Sequence, residues 1–264
     1  MKRVIKGDAP HLLKEYISSY PDATWEQMCD ENAQAANECR DQAISEQGGL
    51  CAYCEQRVSS HEPLHRRIEH FHPKSDKPGF RNWGLDWENM LAVCDGGSWR
   101  SKNESASYPL PENLSCDEYK NHMITQSKIP AACEGHLLNP LTVPSFPNLF
   151  GLDKSTGFLQ SEKTSCANVD IQENVYETTA ELVDHTIEVL NLNCNRLAEK
   201  RLLIIWNINR NIKAIRDKGY SPAEVPGQLA LRYFKSRWPE FFTTLRCCLG
   251  SAAEDYLSTI NYQG

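Results

Sequence analysis

The sequence predicts an α+β fold, mainly helical, in which a compact middle segment is flanked by helical regions. Three observations carry this. Apolar residues recur at helical spacing before residue 48 and again after Tyr176. Residues 51–122 are instead rich in Cys, His, Gly, Pro and Trp, with little sustained periodicity. Pro130, Pro140, Pro144 and Pro147 then preclude a long helix between the two helical regions. The chain divides into an N-terminal helical segment (1–50), a core (51–125), and a connector with a C-terminal helical region (126–264).

The elements follow in order. Residues 10–20 read as a short helix, with Pro10 near its start and Pro21 stopping it. Thr24 is a candidate N-cap for a second helix through Trp25, Met28, Asn32, Ala35, Cys39 and Ala43, ended by Gly48-Gly49. Arg67 to Phe71 reads as a strand closed by Pro73. Trp87 to Val93 and Cys116 to Met123 read as short helices. Val183, Ile187 and Leu190 mark one later helix face, and Ile204, Ile208, Ile212 and Ile215 another. Pro222 and Pro226 precede a helix through Tyr233 and Phe234, and Pro239 precedes a last one. The apolar faces of these last helices suit core packing first and docking second.

With 264 residues, 40% of them apolar and 24% charged, the chain has the composition of an ordinary soluble protein. The longest apolar run, Leu202 to Trp206, is far below the roughly 20 residues of a membrane span. Only Val4 and Ile5 separate Met1-Lys2-Arg3 from Lys6, so no signal-peptide core is visible, and a cytoplasmic location is expected. The net charge of −7 argues against a free-standing, non-specific nucleic-acid binder. Charge is uneven, however. His65 to Arg81 is basic, and Arg196 to Lys218 carries seven Lys/Arg against Glu199 and Asp217. Solvated helix faces account for both stretches on charge alone.

Eleven cysteines, an odd number, do not suit a disulfide framework in a reducing compartment. Cys51 and Cys54 form a CxxC, and Cys94 and Cys116 follow in the same aperiodic segment. Four thiolates close a tetrahedral structural zinc site, and metal is the usual device for holding a segment without a large apolar face. Between the cysteines, Arg67-Ile68-Glu69-His70-Phe71-His72-Pro73 sets an acid beside two histidines, and Trp87-Glu88-Asn89 precedes Cys94. Cys29, Cys39, Cys133, Cys166, Cys194, Cys247 and Cys248 receive no role.

These motifs resemble the HNH endonuclease family: Cys51/Cys54, then Glu69-His70 before a proline, then Asn89 with Leu91 and Cys94, then Cys116-Asp117-x-x-Lys120. Two departures stand out. Asp117 replaces the final histidine of the family motif, and a long loop, Asp95 to Ser115, separates Cys94 from Cys116. With Leu-Leu-Asn-Pro-Leu at 137–141 and Leu-Asn-Leu-Asn at 190–193, residues 50–210 resemble the PtuB-like HNH subunits of Septu-type and retron-associated anti-phage systems.

The resemblance implies a zinc-stapled ββα-metal nuclease core and a metal-dependent endonuclease, DNA favoured, with RNA or tRNA cleavage as the alternative. A non-catalytic zinc adaptor is the third reading. It implies His70 as general base, Glu69 and Asp117 as ligands of Mg²⁺ or another divalent ion, and Asn89 as the group orienting the histidine loop. Arg66, Arg67 and Lys120 would contact phosphates. On a regular strand His72 shares a face with His70, making His72 the better-placed ligand; if the strand twists at its end, Glu69 binds the metal, which the family pattern favours. The implied partners are a PtuA-like ABC/SMC-type ATPase and, in a retron, the reverse transcriptase and its DNA product, with no membrane.

Overall fold

The computed structural model describes residues 1–58, 66–76, 81–99, 102–236 and 238–264. Lys77, one of the cations of the first basic stretch, lies outside them. Among the described residues the architecture is mixed and mainly helical, with two small antiparallel sheets.

Three helices open the chain: α1 (His11–Ser19), α2 (Trp25–Glu31) and α3 (Ala33–Glu46). Pro10 occupies the N-cap of α1, whose Leu13 and Tyr16 turn inward. Thr24 and Gln27 form a reciprocal capping box at α2. The single helix expected from Thr24 to Gly48 is broken at Asn32. That residue leaves helical geometry (φ −138°, ψ 69°), and its side chain accepts from Ala35 N–H at 3.1 Å to start α3. Asparagine competes with a helix through such local bonds, which periodicity does not register.

β1 (Arg67–His70) pairs antiparallel with β2 (Met90–Val93), Glu69 opposite Leu91 and His70 opposite Met90. Trp87 to Val93 is thus not a helix: a 3₁₀ turn (Trp87–Asn89) runs into β2. All four β2 residues are buried, and a fully buried short strand has no alternation to distinguish it from a helix. The outer edge of β2 is covered by Gln47, whose amide donates to Ala92 O at 2.7 Å and accepts from Ala92 N–H at 2.8 Å. After α4 (Lys102–Ser107), α5 (Cys116–Thr125) completes a β-β-α unit; Arg67 and Glu69, on one face of β1, pair with Glu118 and Lys120 of α5.

The proline-rich connector leads to a hairpin, β3 (Phe150–Leu152) with β4 (Leu159–Ser161), and to α6 (Lys163–Ala167). Then follow α7 (Thr179–Val189), α8 (Asn195–Arg216), α9 (Val225–Phe234), α10 (Phe242–Leu249) and α11 (Ser251–Thr259). Pro226 lies in the first turn of α9, and the single final helix expected after Pro239 is two, split at Gly250 (φ 57°).

One apolar cluster unites α1–α3, the β1–β2 hairpin, the connector and α7; Leu13, Met28, Tyr53, Leu91, Leu138 and Leu182 are among its members. A second gathers Ile208, Phe234, Phe242, Leu245 and Leu257, so the apolar faces of the last helices do pack as core. Glu55, next to Cys54, anchors α10 through Thr243 N–H (2.8 Å) and Thr243 Oγ1 (2.6 Å). Among the described residues no helix is long and apolar enough to cross a membrane.

Candidate active site and metal centre

The four cysteines predicted to act together converge. Cys51 and Cys116 sulfurs are 3.8 Å apart, Cys54 and Cys94 3.6 Å, Cys94 and Cys116 3.7 Å, and all four lie within 4.8 Å of one another. Zinc–thiolate bonds of 2.3 Å in a tetrahedron place sulfurs about 3.8 Å apart, so the donor set fits Zn²⁺. Local backbone makes the convergence possible. Cys116 adopts φ 57° at the head of α5, and Gly96 adopts φ 61°. A Cβ on Gly96 would lie 2.5 Å from Ser115 O, and the Gly96 N–H instead points at Cys94 sulfur at 3.4 Å.

Burial pushes the Cys54 and Cys116 thiols up. Burial acts upward on Cys51 too, but hydrogen bonds within the cluster hold it well below the ordinary thiol range. The buried Arg196 guanidinium donates to Gln56 Oε1 (2.8 Å) and Ser115 Oγ (2.7 Å) beside the cluster, placing positive charge near three of its four sulfurs, those of Cys54, Cys94 and Cys116.

A second cluster lies where β1 meets α5. Glu69 and Lys120, both buried, form an ion pair. Lys120 Nζ is 3.9 Å from Asp117 Oδ1, one turn away on α5, and the Tyr53 hydroxyl donates to Glu69 at 3.4 Å. Burial pushes the Asp117 carboxyl up to about 6, against Arg67 and the Asn121 amide, which act downward. The structure thus aims two carboxylates at one cation, with an ammonium standing there. Hard carboxylate oxygens in this number suit Mg²⁺, which commonly takes one or two from the protein.

His70 points to the other face of β1. Its Nε2 lies 3.0 Å from Gly84 O, and its ring meets the Trp25 ring at 5.4 Å. Burial, then the nearby Lys74 ammonium, push its pKa down to about 4, opposed by Gly84 O and Glu26. The imidazole is neutral at pH 7. Lys74 acts electrostatically on both His70 and Asp117. Because the unfolded chain protonates this histidine near 6.5 and the folded one near 4, the fold binds fewer protons and loses stability as pH falls through that window. Between pH 7.5 and 5 the difference in unfolding free energy between wild type and His70→Gln will shift against wild type by about 2 kcal/mol, read by urea titration at each pH. A pH-independent difference would contradict this environment.

Asn89 holds the segment after β1. Its Oδ1 accepts from His72 N–H at 2.7 Å, and its Nδ2 donates to His72 O and Trp83 O, both at 2.9 Å. His72 itself stacks on Trp83 (4.0 Å), with Nδ1 2.6 Å from Glu134 and Nε2 3.0 Å from Asp76. Both its nitrogens therefore face carboxylates other than Glu69 and Asp117. Arg66 pairs with Asp41, Arg67 with Glu118, and Lys120 is turned inward. Tyr53, Asp76 and Glu134 escaped the sequence reading. Glu134 lies in the connector, 62 residues from His72, and no motif marks it.

No protein-family model matches the chain. It is 34% identical over 254 residues, 93% of its own length and 92% of the other chain's, to an Escherichia coli protein named "Retron Ec83 putative HNH endonuclease".

Proposed function

Since this chain belongs to the HNH endonuclease family, we propose that it is a nuclease hydrolysing nucleic-acid phosphodiesters with one divalent metal ion, DNA being the favoured substrate. The observation that carries this reading is the pair Glu69 and Asp117 converging on a single buried cation beside the four-cysteine cluster. Glu69 and Asp117 would hold the ion, most suitably Mg²⁺, and Cys51, Cys54, Cys94 and Cys116 would hold structural Zn²⁺. The bound divalent ion supplies charge stabilisation for the phosphate and the leaving oxygen. His70, neutral at pH 7, would accept the proton of the attacking water, a task for a positioned imidazole, which requires its ring to leave Gly84 O and turn from the opposite face of β1 toward Glu69 and Asp117. Asn89 fixes the backbone that follows His70. Arg66 and Arg67, on the β1 side of the site, would meet phosphates by exchanging their carboxylate partners for the substrate's oxygens.

The relative's name supports a retron setting, and we extend it: the chain serves an antiviral system alongside a PtuA-like ATPase, a reverse transcriptase and its DNA product. Copurified with that ATPase and given Mg²⁺, plasmid DNA and total RNA, it should degrade the plasmid. Degradation of RNA alone would transfer the activity to RNA, and degradation of neither in the activated complex would overturn the nuclease reading.

A further inference from the structure

The basic stretch from Arg196 to Lys218 separates in the fold into two sets. Arg196 and Arg201 are buried against the core. Arg210, Lys213, Arg216 and Lys218 are exposed and Lys200 half-buried, and none of these five is ion-paired among the described residues. Elsewhere Arg66, Arg67, Lys74, Arg81, Lys163 and Arg246 each hold a carboxylate, while Lys14, Lys128, Lys154 and Lys235 are exposed single cations without such a grouping. Four of the five, Lys200, Arg210, Lys213 and Arg216, are set on the longest helix, α8, about 33 Å from end to end.

Two aromatic groups accompany the row. Trp206 is 58% exposed, with the Arg210 guanidinium 5.6 Å from its ring centre. Leu203, Trp206, Arg210 and Lys213 recur at three- and four-residue steps, which aligns them as one outward stripe. At its end Lys213, Arg216 and Tyr220 line an open hollow of about 680 Å³. A solvated helix face explains exposed cations but not an exposed indole among them. Unpaired cations recognise a polyanion, and a free aromatic face recognises the π-face of an unstacked base.

We infer that the outward stripe of α8 is a track for single-stranded nucleic acid, its cations on the phosphates and Trp206 stacked on a base. The inference goes beyond the β1–α5 site, which contributes no residue to this face, and rests on the nuclease reading only for preferring nucleic acid to another polyanion.

The test is binding of a fluorescent 30-nucleotide single strand, DNA or RNA, to the full chain without Mg²⁺, by anisotropy across salt concentrations. Arg210→Glu/Lys213→Glu/Arg216→Glu should weaken binding more than tenfold and flatten the logarithmic salt slope by about 2, since each phosphate contact on a single strand contributes about 0.7. Trp206→Ala should weaken it about tenfold, within the range for one stacked base. All four positions are solvent-facing, so the variants should melt with wild type. Unchanged affinity and slope in the triple variant would overturn the track. So would normal nucleic-acid binding by a triple variant that no longer copurifies with the ATPase, which would make the stripe a protein-docking face. Restoring Mg²⁺ then reports cleavage separately, so the nuclease reading and the track stand or fall independently.

Discussion

Cys116→Ser will lose bound zinc and leave the β1–β2–α5 unit unfolded. The reasoning starts from size: the two strands have four residues each, and a two-stranded sheet is marginal alone. Structural zinc contributes roughly 10–16 kcal/mol in small zinc-folded peptides, comparable to the about 5–15 kcal/mol that separates a whole domain from its unfolded state. Cys116 is also the junction of the fold. It opens α5, and its backbone N–H donates to Leu190 O at 2.8 Å, at the C-cap of α7, so unfolding of the unit releases that contact as well. The variant should hold well under one zinc per chain by elemental analysis, and its melting temperature should fall by more than about 10 °C, each kcal/mol being worth about 2–4 °C at this size. Cys248→Ser, outside the cluster, should keep both values. A Cys116→Ser protein with full zinc and a wild-type melt would remove the metal centre from the account.

Asp117→Asn should move stability and activity in opposite directions. Burial makes the Asp117 carboxylate costly: its pKa stands at about 6 against 3.8 for a free aspartate. At pH 7.5 that gap corresponds to about 2–3 kcal/mol of destabilisation, which a neutral amide removes. The Asn121 amide that donates to Oδ1 at 3.0 Å keeps an acceptor in the variant. The zinc-loaded variant should therefore unfold at higher urea than wild type when no Mg²⁺ is present. Its Mg²⁺-dependent cleavage should drop by a factor on the order of 100 or more, because an amide oxygen carries no charge to offset a divalent ion. Glu69→Gln is a poorer probe. It strands the buried Lys120 ammonium, at a cost of about 3–5 kcal/mol, so a loss of cleavage would be confounded by a loss of fold. An Asp117→Asn protein less stable than wild type would mean that the carboxylate is a structural partner.

How much of this was legible beforehand differs by element. The zinc-type cysteines could be read because ligand chemistry restricts residue type, and their sulfurs do gather. β1 could be read because Arg67 to Phe71 is bounded by a proline. β2 could not, since Met90 to Val93 is buried on both faces and a short apolar run fits either period. The break at Asn32 turns on a cap that one side-chain hydrogen bond decides. At the site, Glu69, Asp117 and Lys120 were visible as a motif. Their grouping about one ammonium was not, because it depends on β1 and α5 being brought together across 51 residues. His72 shows the limit plainly. Strand alternation framed it as a choice of faces, but β1 ends at His70, and the ring is fixed by Trp83, Asp76 and the distant Glu134. The same holds for α8, where only the fold tells which arginines of a basic run are buried.

The most direct measurement compares wild type and His70→Ala in a single-turnover Mg²⁺-dependent cleavage assay with the activated complex, both proteins matched for zinc content and melting behaviour. The account predicts a loss of about 100- to 10,000-fold in the variant, the range for removing a general base. Equal cleavage by the two proteins would contradict it.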